Sequence, residues 1–179
     1  MPKLIFSEFK NLFNEIKNNP SSFVGDHGNW VDVIKIKSCP ALSEFYQKNQ
    51  SLLSQQIYFW KTGISMPEFA IHRDSTNAKD VQSSLLFGLE NCDEETLTQF
   101  YDNNNDLGKI DPNNGILFPK NPNHLNLMTE FSVLTGKVYG FNNNSWHRVI
   151  NKGGKQRLVA SWWALPQIDI NFLSKNITK

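Results

Sequence analysis

Three side chains in this sequence have the types and spacing to hold a metal ion. His72 and Asp74 stand two residues apart in Phe69-Ala70-Ile71-His72-Arg73-Asp74. On a β-strand that spacing points both to one face. His147 lies in Trp146-His147-Arg148-Val149-Ile150-Asn151, and a second strand can supply it from across a barrel. Two imidazoles and one carboxylate on one side of a metal leave its other positions open, the arrangement by which non-haem Fe(II) holds a co-substrate and dioxygen. Ten residues past His147 comes Arg157, a planar fork suited to a carboxylate.

The elements that must carry these residues read as follows. Phe9, Leu12, Phe13 and Ile16 recur at helical spacing, which predicts an amphipathic helix over 7–18 ended by Asn18-Asn19-Pro20. Residues 31–37 read as a strand. Pro40 opens a second helix running to about Leu53. From Gln55 the pattern changes to short β segments: 55–62, 68–74, 83–90, 96–101, 115–118, 131–134, 137–142, 146–150 and 156–164. Residues 102–114 form a long polar loop, and Asn151-Lys152-Gly153-Gly154-Lys155 reads as a hairpin turn that makes His147 and Arg157 members of adjacent antiparallel strands. Short strands following two helices point to a mainly β chain, a jelly roll or related double-sheet barrel buttressed by N-terminal helices. A single domain over 1–179 is expected, with the buttress at about 1–54, the barrel at about 55–165 and a short C-terminal tail.

Strand parity gives each face its residues. His147 and Val149 share one face. Arg157, Val159, Ser161 and Trp163 share another, with Leu158, Ala160 and Trp162 opposite. In 55–62, Tyr58, Trp60 and Thr62 share a face, and Tyr58 and Thr62 line the barrel if Lys61 faces water. Competing chemistries fit less well. His72-Arg73-Asp74 also occurs in kinase catalytic loops, but no glycine-rich loop precedes it, no Asp-Phe-Gly follows, and Lys79 stands where a metal-binding Asn is needed. A zinc hydrolase accepts two His and one Asp, yet there is no HExxH. His27 and His124 lie in polar loops and read as solvated.

The order HxD, then His, then Arg across a series of short strands resembles the Fe(II)/2-oxoglutarate-dependent oxygenase family. The stretch His147-Arg148-Val149-Ile150-Asn151 is similar to the H-x-V-x-N of its prolyl hydroxylase-like and aspartyl/asparaginyl hydroxylase-like branches. The resemblance covers roughly residues 55–165 and implies a double-stranded β-helix, cupin-like in architecture. It implies Fe(II) on His72, Asp74 and His147, 2-oxoglutarate anchored by Arg157, and O2 as the second co-substrate. A C–H bond of a peptidyl side chain or small molecule would be hydroxylated, with succinate and CO2 formed. Relatives often place Ser two residues after the Arg. Here that position is Val159, so Ser161, Tyr58 or Thr62 are the expected additional co-substrate contacts. Retention of Asp74 favours hydroxylation over halogenation. A cupin-like metalloenzyme that does not use 2-oxoglutarate and a non-catalytic binding barrel remain the alternatives.

Composition sets outer bounds. A net charge of +1 with no basic run argues against a broad nucleic-acid footprint. No apolar run approaches a membrane span. The N-terminus lacks an uninterrupted apolar leader core, so a cytoplasmic location is expected, and the sequons at Asn143 and Asn176 carry no weight. Cys39 and Cys92 are expected as free thiols.

Overall fold

Among the described residues Phe9, Phe45, Phe59, Phe87, Phe141, Trp146 and Trp162 are buried, and the placement of these rings divides the molecule into layers. The computed structural model describes residues 3–18, 29–32, 39–62, 68–74, 83–102, 106–112 and 116–177. Helices α1 (Lys3–Asn18) and α2 (Pro40–Asn49) precede most of the strands: β1 (Asn29–Asp32), β2 (Leu53–Thr62), β3 (Ser83–Glu90), β4 (Thr96–Tyr101), β5 (Lys109–Ile110), β6 (Leu117–Phe118), β7 (Leu127–Ser132), β8 (Val138–Asn142), β9 (Trp146–Asn151) and β10 (Arg157–Ala164). Helix α3 (Ile170–Asn176) follows.

One sheet has the order β1-β2-β10-β3-β8 and faces a second of order β7-β4-β9. All the pairings are antiparallel. The second sheet is extended by the segment 68–74. That segment bridges to β9 at Glu68–Ile150 and His72–His147, and to β6 at Arg73–Leu117, and β6 pairs with β5. The result is a double-sheet jelly roll with helices on one outer face.

Alternation in β2 and β10 assigns the two sides. Ile57 and Phe59 of β2, and Leu158, Ala160 and Trp162 of β10, join Phe9, Leu12, Leu42 and Phe45 in the core beneath the helices. Phe9 lies 4.6 Å from Phe87 and meets Trp162 edge-on at 6.3 Å. Each fully buried ring of this kind contributes about 1.5–3 kcal/mol. Phe6 extends the same stripe one turn back and meets Phe87 at 6.0 Å, so α1 begins earlier than the expected residue 7. Helix α2 ends short of Leu53. Asn49 donates its side-chain amide to the Phe45 carbonyl and its own carbonyl accepts from the Leu52 amide, which closes the helix and frees Leu53 to open β2.

Several expectations need correction. Part of the polar stretch 102–114 is a strand, β5, held as a hairpin on β6. Strand β7 begins at Leu127, ahead of the expected 131. The C-terminal tail contains a helix whose N-cap Asp169 accepts from the Phe172 amide and whose Leu173 is fully buried. The largest correction concerns the turn after His147. Strands β9 and β10 are not partners: β9 pairs with β4, while β10 lies between β2 and β3. The turn crosses from one sheet to the other, pinned by Asn151, which accepts from the Thr96 hydroxyl and donates to the Lys155 carbonyl. The expected strand at 31–37 overlaps β1 at residues 31–32, and its remainder, like His27, lies outside the described residues.

One backbone approach fixes how β3 meets the turn beyond β7. A Cβ built on Gly88 would stand 2.3 Å from the Leu134 carbonyl oxygen. Both Gly88 backbone groups are committed there, its amide to Lys137 and its carbonyl to Gly136. Gly88→Ala should therefore cost about 3 kcal/mol, the upper end for overpacking, seen as a lowered denaturation midpoint. A loss below ~0.5 kcal/mol would mean this contact is loose.

Candidate metal centre

His72 and His147 are direct backbone partners, not residues facing each other across a barrel. Each amide donates to the other's carbonyl at 2.9 Å, and their rings lie 4.4 Å apart by centroid. Between the bridges Glu68–Ile150 and His72–His147, the 68–72 side holds one residue more than the β9 side, a bulge of the kind that re-aims side chains beside active sites. Segment 68–74 is thus bulged, not the regular strand expected from its sequence. Asp74 follows at a bend, its amide donating to the Asn143 carbonyl at 3.3 Å. Asn143 is itself fixed, since its side-chain oxygen accepts from the Ser84 hydroxyl.

The donor atoms converge. His72 Nε2 lies 3.4 Å from Asp74 Oδ1, and His147 Nε2 lies 3.7 Å from the same oxygen. The three ligand atoms fall within 4.8 Å of one another. Two donors each about 2.1 Å from one ion would stand roughly 3–3.5 Å apart, so small side-chain adjustments suffice. The far side of each ring sets its tautomer. Nδ1 of His72 lies 2.8 Å from the Ala70 carbonyl, and Nδ1 of His147 lies 2.9 Å from that of Ser145. A carbonyl can only accept, so each Nδ1 carries the proton and each Nε2 turns a lone pair toward Asp74. Phe141 packs edge-on against His147 at 4.7 Å.

The charges differ sharply across this cluster. Burial pushes the His147 imidazole down to about 4, with the charge of His72 acting in the same direction and that of Asp74 against it. Burial also opposes charge on His72, but hydrogen bonding and attraction to Asp74, with the Ala70 carbonyl, outweigh it and raise its pKa. Burial works against ionisation of Asp74, and the two imidazoles overcome it and hold the carboxyl below its usual range. His147 is therefore neutral in weak acid, while His72 still competes for a proton near neutrality. Divalent-metal affinity should fall on acidification by about tenfold per pH unit between roughly pH 7 and 5, reflecting one displaced proton. A Co(II) titration series checks this. A slope of two decades per unit would show both imidazoles titrating.

The cluster opens into a cavity of about 380 Å³ between the sheets. Tyr58 and Ser161, opposite each other in the β2–β10 register, lie on its wall, as do Trp60 and Trp163. Burial, and then the Asp74 charge, raise the Tyr58 phenol. Thr62 is opposite Arg157 in the backbone register, but its side chain lies outside the described set. Thr98 was missed in the sequence. It is fully buried on β4, lines the cavity, and its hydroxyl has no hydrogen-bond partner among the described residues. Its parity with Thr96 and Phe100 in the strand at 96–101 was the available signal.

Arg157 is completely buried, and none of its three guanidinium nitrogens has a hydrogen-bond partner among the described residues. It shares the inward face of β10 with Val159, Ser161 and Trp163 but is not itself a wall of the open cavity. Burial lowers its pKa, countered by attraction and weak hydrogen bonding to the Cys92 sulfur and then by the Asp93 charge. The Cys92 thiol is already directed at the Glu90 and Leu158 carbonyls. Both cysteines are buried thiols outside any disulfide. A guanidinium stays protonated throughout the ordinary pH range, and a buried charge without a partner is costly. An anion accepted at this position would satisfy it. The donor set and this unpaired cation both fit Fe(II) with 2-oxoglutarate.

No protein-family model and no curated protein sequence matches the chain. Solved structures do match its shape. The non-haem α-ketoglutarate-dependent carbocyclase SnoK of nogalamycin biosynthesis aligns with TM-score 0.63 at 11% identity, covering 93% of this chain and 76% of that one. The epimerase SnoN, solved with Fe3+, α-ketoglutarate and nogalamycin RO, aligns at 0.55 and 11%, covering 89% and 75%. A prolyl hydroxylase from Trichoplax adhaerens, solved with a hypoxia inducible factor peptide fragment, aligns at 0.51 and 10%, covering 90% and 79%. At such identities the likeness is one of architecture: the chain has the double-sheet jelly-roll fold of the Fe(II)/2-oxoglutarate-dependent oxygenases.

Proposed function

We propose that this protein is an Fe(II)- and 2-oxoglutarate-dependent dioxygenase that hydroxylates a C–H bond of its substrate. The observation that carries the reading is the unpaired Arg157 guanidinium, buried on the inward face of the same barrel whose mouth holds His72, Asp74 and His147. A metal site alone fits many enzymes. A metal site with a buried cation awaiting a carboxylate fits far fewer.

His72, Asp74 and His147 would hold the iron on one side, with Ala70 and Ser145 keeping the Nε2 lone pairs presented. The chemistry such a centre would supply is dioxygen activation, with one oxygen atom going to succinate as 2-oxoglutarate loses CO2 and the other to the substrate. Arg157 would pair with the distal carboxylate of 2-oxoglutarate, with Thr98, Ser161 and Tyr58 offering hydroxyls along the cavity and Thr62 next to the anchor in register. Reaching Arg157 requires the side chains at the inner end of the cavity to yield, since the open space stops short of it. Apolar walls including Leu86, Phe141 and Val149 would limit water around the reacting centre once co-substrate and substrate fill the chamber.

The test is direct. Protein reconstituted anaerobically with Fe(II) should bind 2-oxoglutarate in a metal-dependent manner and, with air admitted, release succinate and CO2 even without substrate, at a slow uncoupled rate. Iron uptake without 2-oxoglutarate binding would leave a metalloenzyme of another reaction type. Absence of both would leave a binding barrel.

A further inference from the structure

The wall nearest the triad is built largely of aromatic rings that the fold leaves half-buried. Trp60 and Trp163 reach the cavity from the five-stranded sheet, while Phe69 and Phe118 reach it from the segments beside β9. Trp60 and Phe69 meet edge-to-face at 5.3 Å. Phe69 and Phe118 flank the His72 ring at 6.0 and 6.4 Å. Leu86, Thr98, Phe141, Val149 and Ser161 also line it and are buried, Phe141 standing 4.7 Å from the His147 ring. In the β2–β10 register the Tyr58–Ser161 hydroxyl pair lies between Trp60 and Trp163, so the hydroxyls sit within a collar of large, partly wetted rings.

Half-wetted rings gathered in one concavity forgo burial that a flat apolar ligand would restore. Outside the triad, none of the described wall residues carries a charge. With the metal's charge already met by Asp74 and a bound 2-oxoglutarate, a further carboxylate or ammonium on the substrate would lose its hydration without a counter-charge among the described wall residues. Size narrows the choice further. The volume of about 380 Å³ equals about a dozen waters at ~30 Å³ each, room for a small co-substrate and one ring-sized group but not for a folded loop.

We infer that the primary substrate presents a neutral, flat, apolar ring to the collar formed by Trp60, Phe69, Phe118 and Trp163, with the C–H bond to be oxidised at the edge facing His72, Asp74 and His147. This rests on the oxygenase reading and adds to it the chemical class of the group that enters. A peptide would qualify only by inserting one such side chain, and a charged ring would bind less tightly than its neutral counterpart.

The experiment uses the full chain loaded with Co(II), which holds the site without turnover, and with 2-oxoglutarate, titrated calorimetrically with 2-naphthol and with its charged counterpart 2-naphthoate. Metal uptake and 2-oxoglutarate binding are measured first on the same preparation. The expected result is that 2-naphthol binds at least about tenfold more tightly than 2-naphthoate. Trp60→Ala and Phe118→Ala should each weaken 2-naphthol by about tenfold, while Co(II) and 2-oxoglutarate affinities stay within about twofold. Trp60→Phe should keep most of the affinity, which separates loss of a ring from loss of the fold. Equal binding of 2-naphthoate, failure of 2-naphthol to bind, or indifference to both alanine variants overturns the proposal. If Co(II) and 2-oxoglutarate bind while the neutral ring does not, the collar inference falls alone. If neither binds, the oxygenase reading falls and takes this inference with it.

Discussion

His147→Ala should abolish tight divalent-metal binding, with affinity falling by more than ~100-fold, since even losses one shell further out cost 10–100-fold. The imidazole is 3% exposed, neutral in weak acid, and turned by the Ser145 carbonyl so that Nε2 faces Asp74. It offers its lone pair with almost no competition from protons, unlike His72. Removing it leaves His72 and Asp74, which pair at 3.4 Å when His72 carries a second proton, so a proton competes with the ion for what remains of the site. The fold should survive. The lost ring contacts with Phe141 and Phe100 amount to a cavity costing about 2–4 kcal/mol. Co(II) titration with circular dichroism of the same sample separates the two effects. His124→Ala is the control, because that ring is exposed and rests on Asn121. Equal metal loss in both variants would remove the triad from consideration.

What could be read in the sequence divides along a physical line. Residues whose role depends on local parity were readable. The sorting of Leu158, Ala160 and Trp162 toward the helices, and of Ser161 and Trp163 toward the cavity, follows from alternation alone. So does the convergence of Tyr58 and Trp60 on the same space. Relations that depend on which strand lies beside which were not readable. The five residues at 151–155 have the composition of a hairpin, yet the chain uses them to change sheets. Composition reports that the chain turns but not how far β10 is carried before it finds β2 and β3. The direct pairing of His72 with His147 was hidden for the same reason, and more deeply, because a one-residue bulge near Ile71 breaks the alternation that would announce a strand. Strand β5 was obscured by the Asn-rich stretch around it, with both of its residues exposed. Thr98 was overlooked because a threonine in a strand is unremarkable until its hydroxyl is seen buried and unpaired.

Arg157→Met should move stability and co-substrate affinity in opposite directions. The side chain is fully buried with three unpartnered nitrogens among the described residues, and burial already lowers its pKa. In the ligand-free protein its charge is a liability. Methionine fills similar space without that charge, so free protein should gain on the order of 1–4 kcal/mol, the range seen when buried ionic groups give way to apolar ones. The co-substrate should respond the other way. A bidentate guanidinium–carboxylate contact comprises two charge-assisted hydrogen bonds at about 1.5–3 kcal/mol each, so 2-oxoglutarate should bind about 100-fold more weakly or worse, with Co(II) affinity unchanged. Denaturation of the apo-protein measures the first change and calorimetry the second. Stabilisation by saturating 2-oxoglutarate, which follows from its affinity for the folded state, should be present in the wild-type protein and vanish in the variant. If instead the variant is destabilised without ligand, by as much as a large-to-small core change, then Arg157 is already paired within the protein. In that case its part is structural, and the argument from an unpaired cation to a dicarboxylate fails. Loss of 2-oxoglutarate together with a more stable fold is the outcome that a purely structural arginine cannot produce.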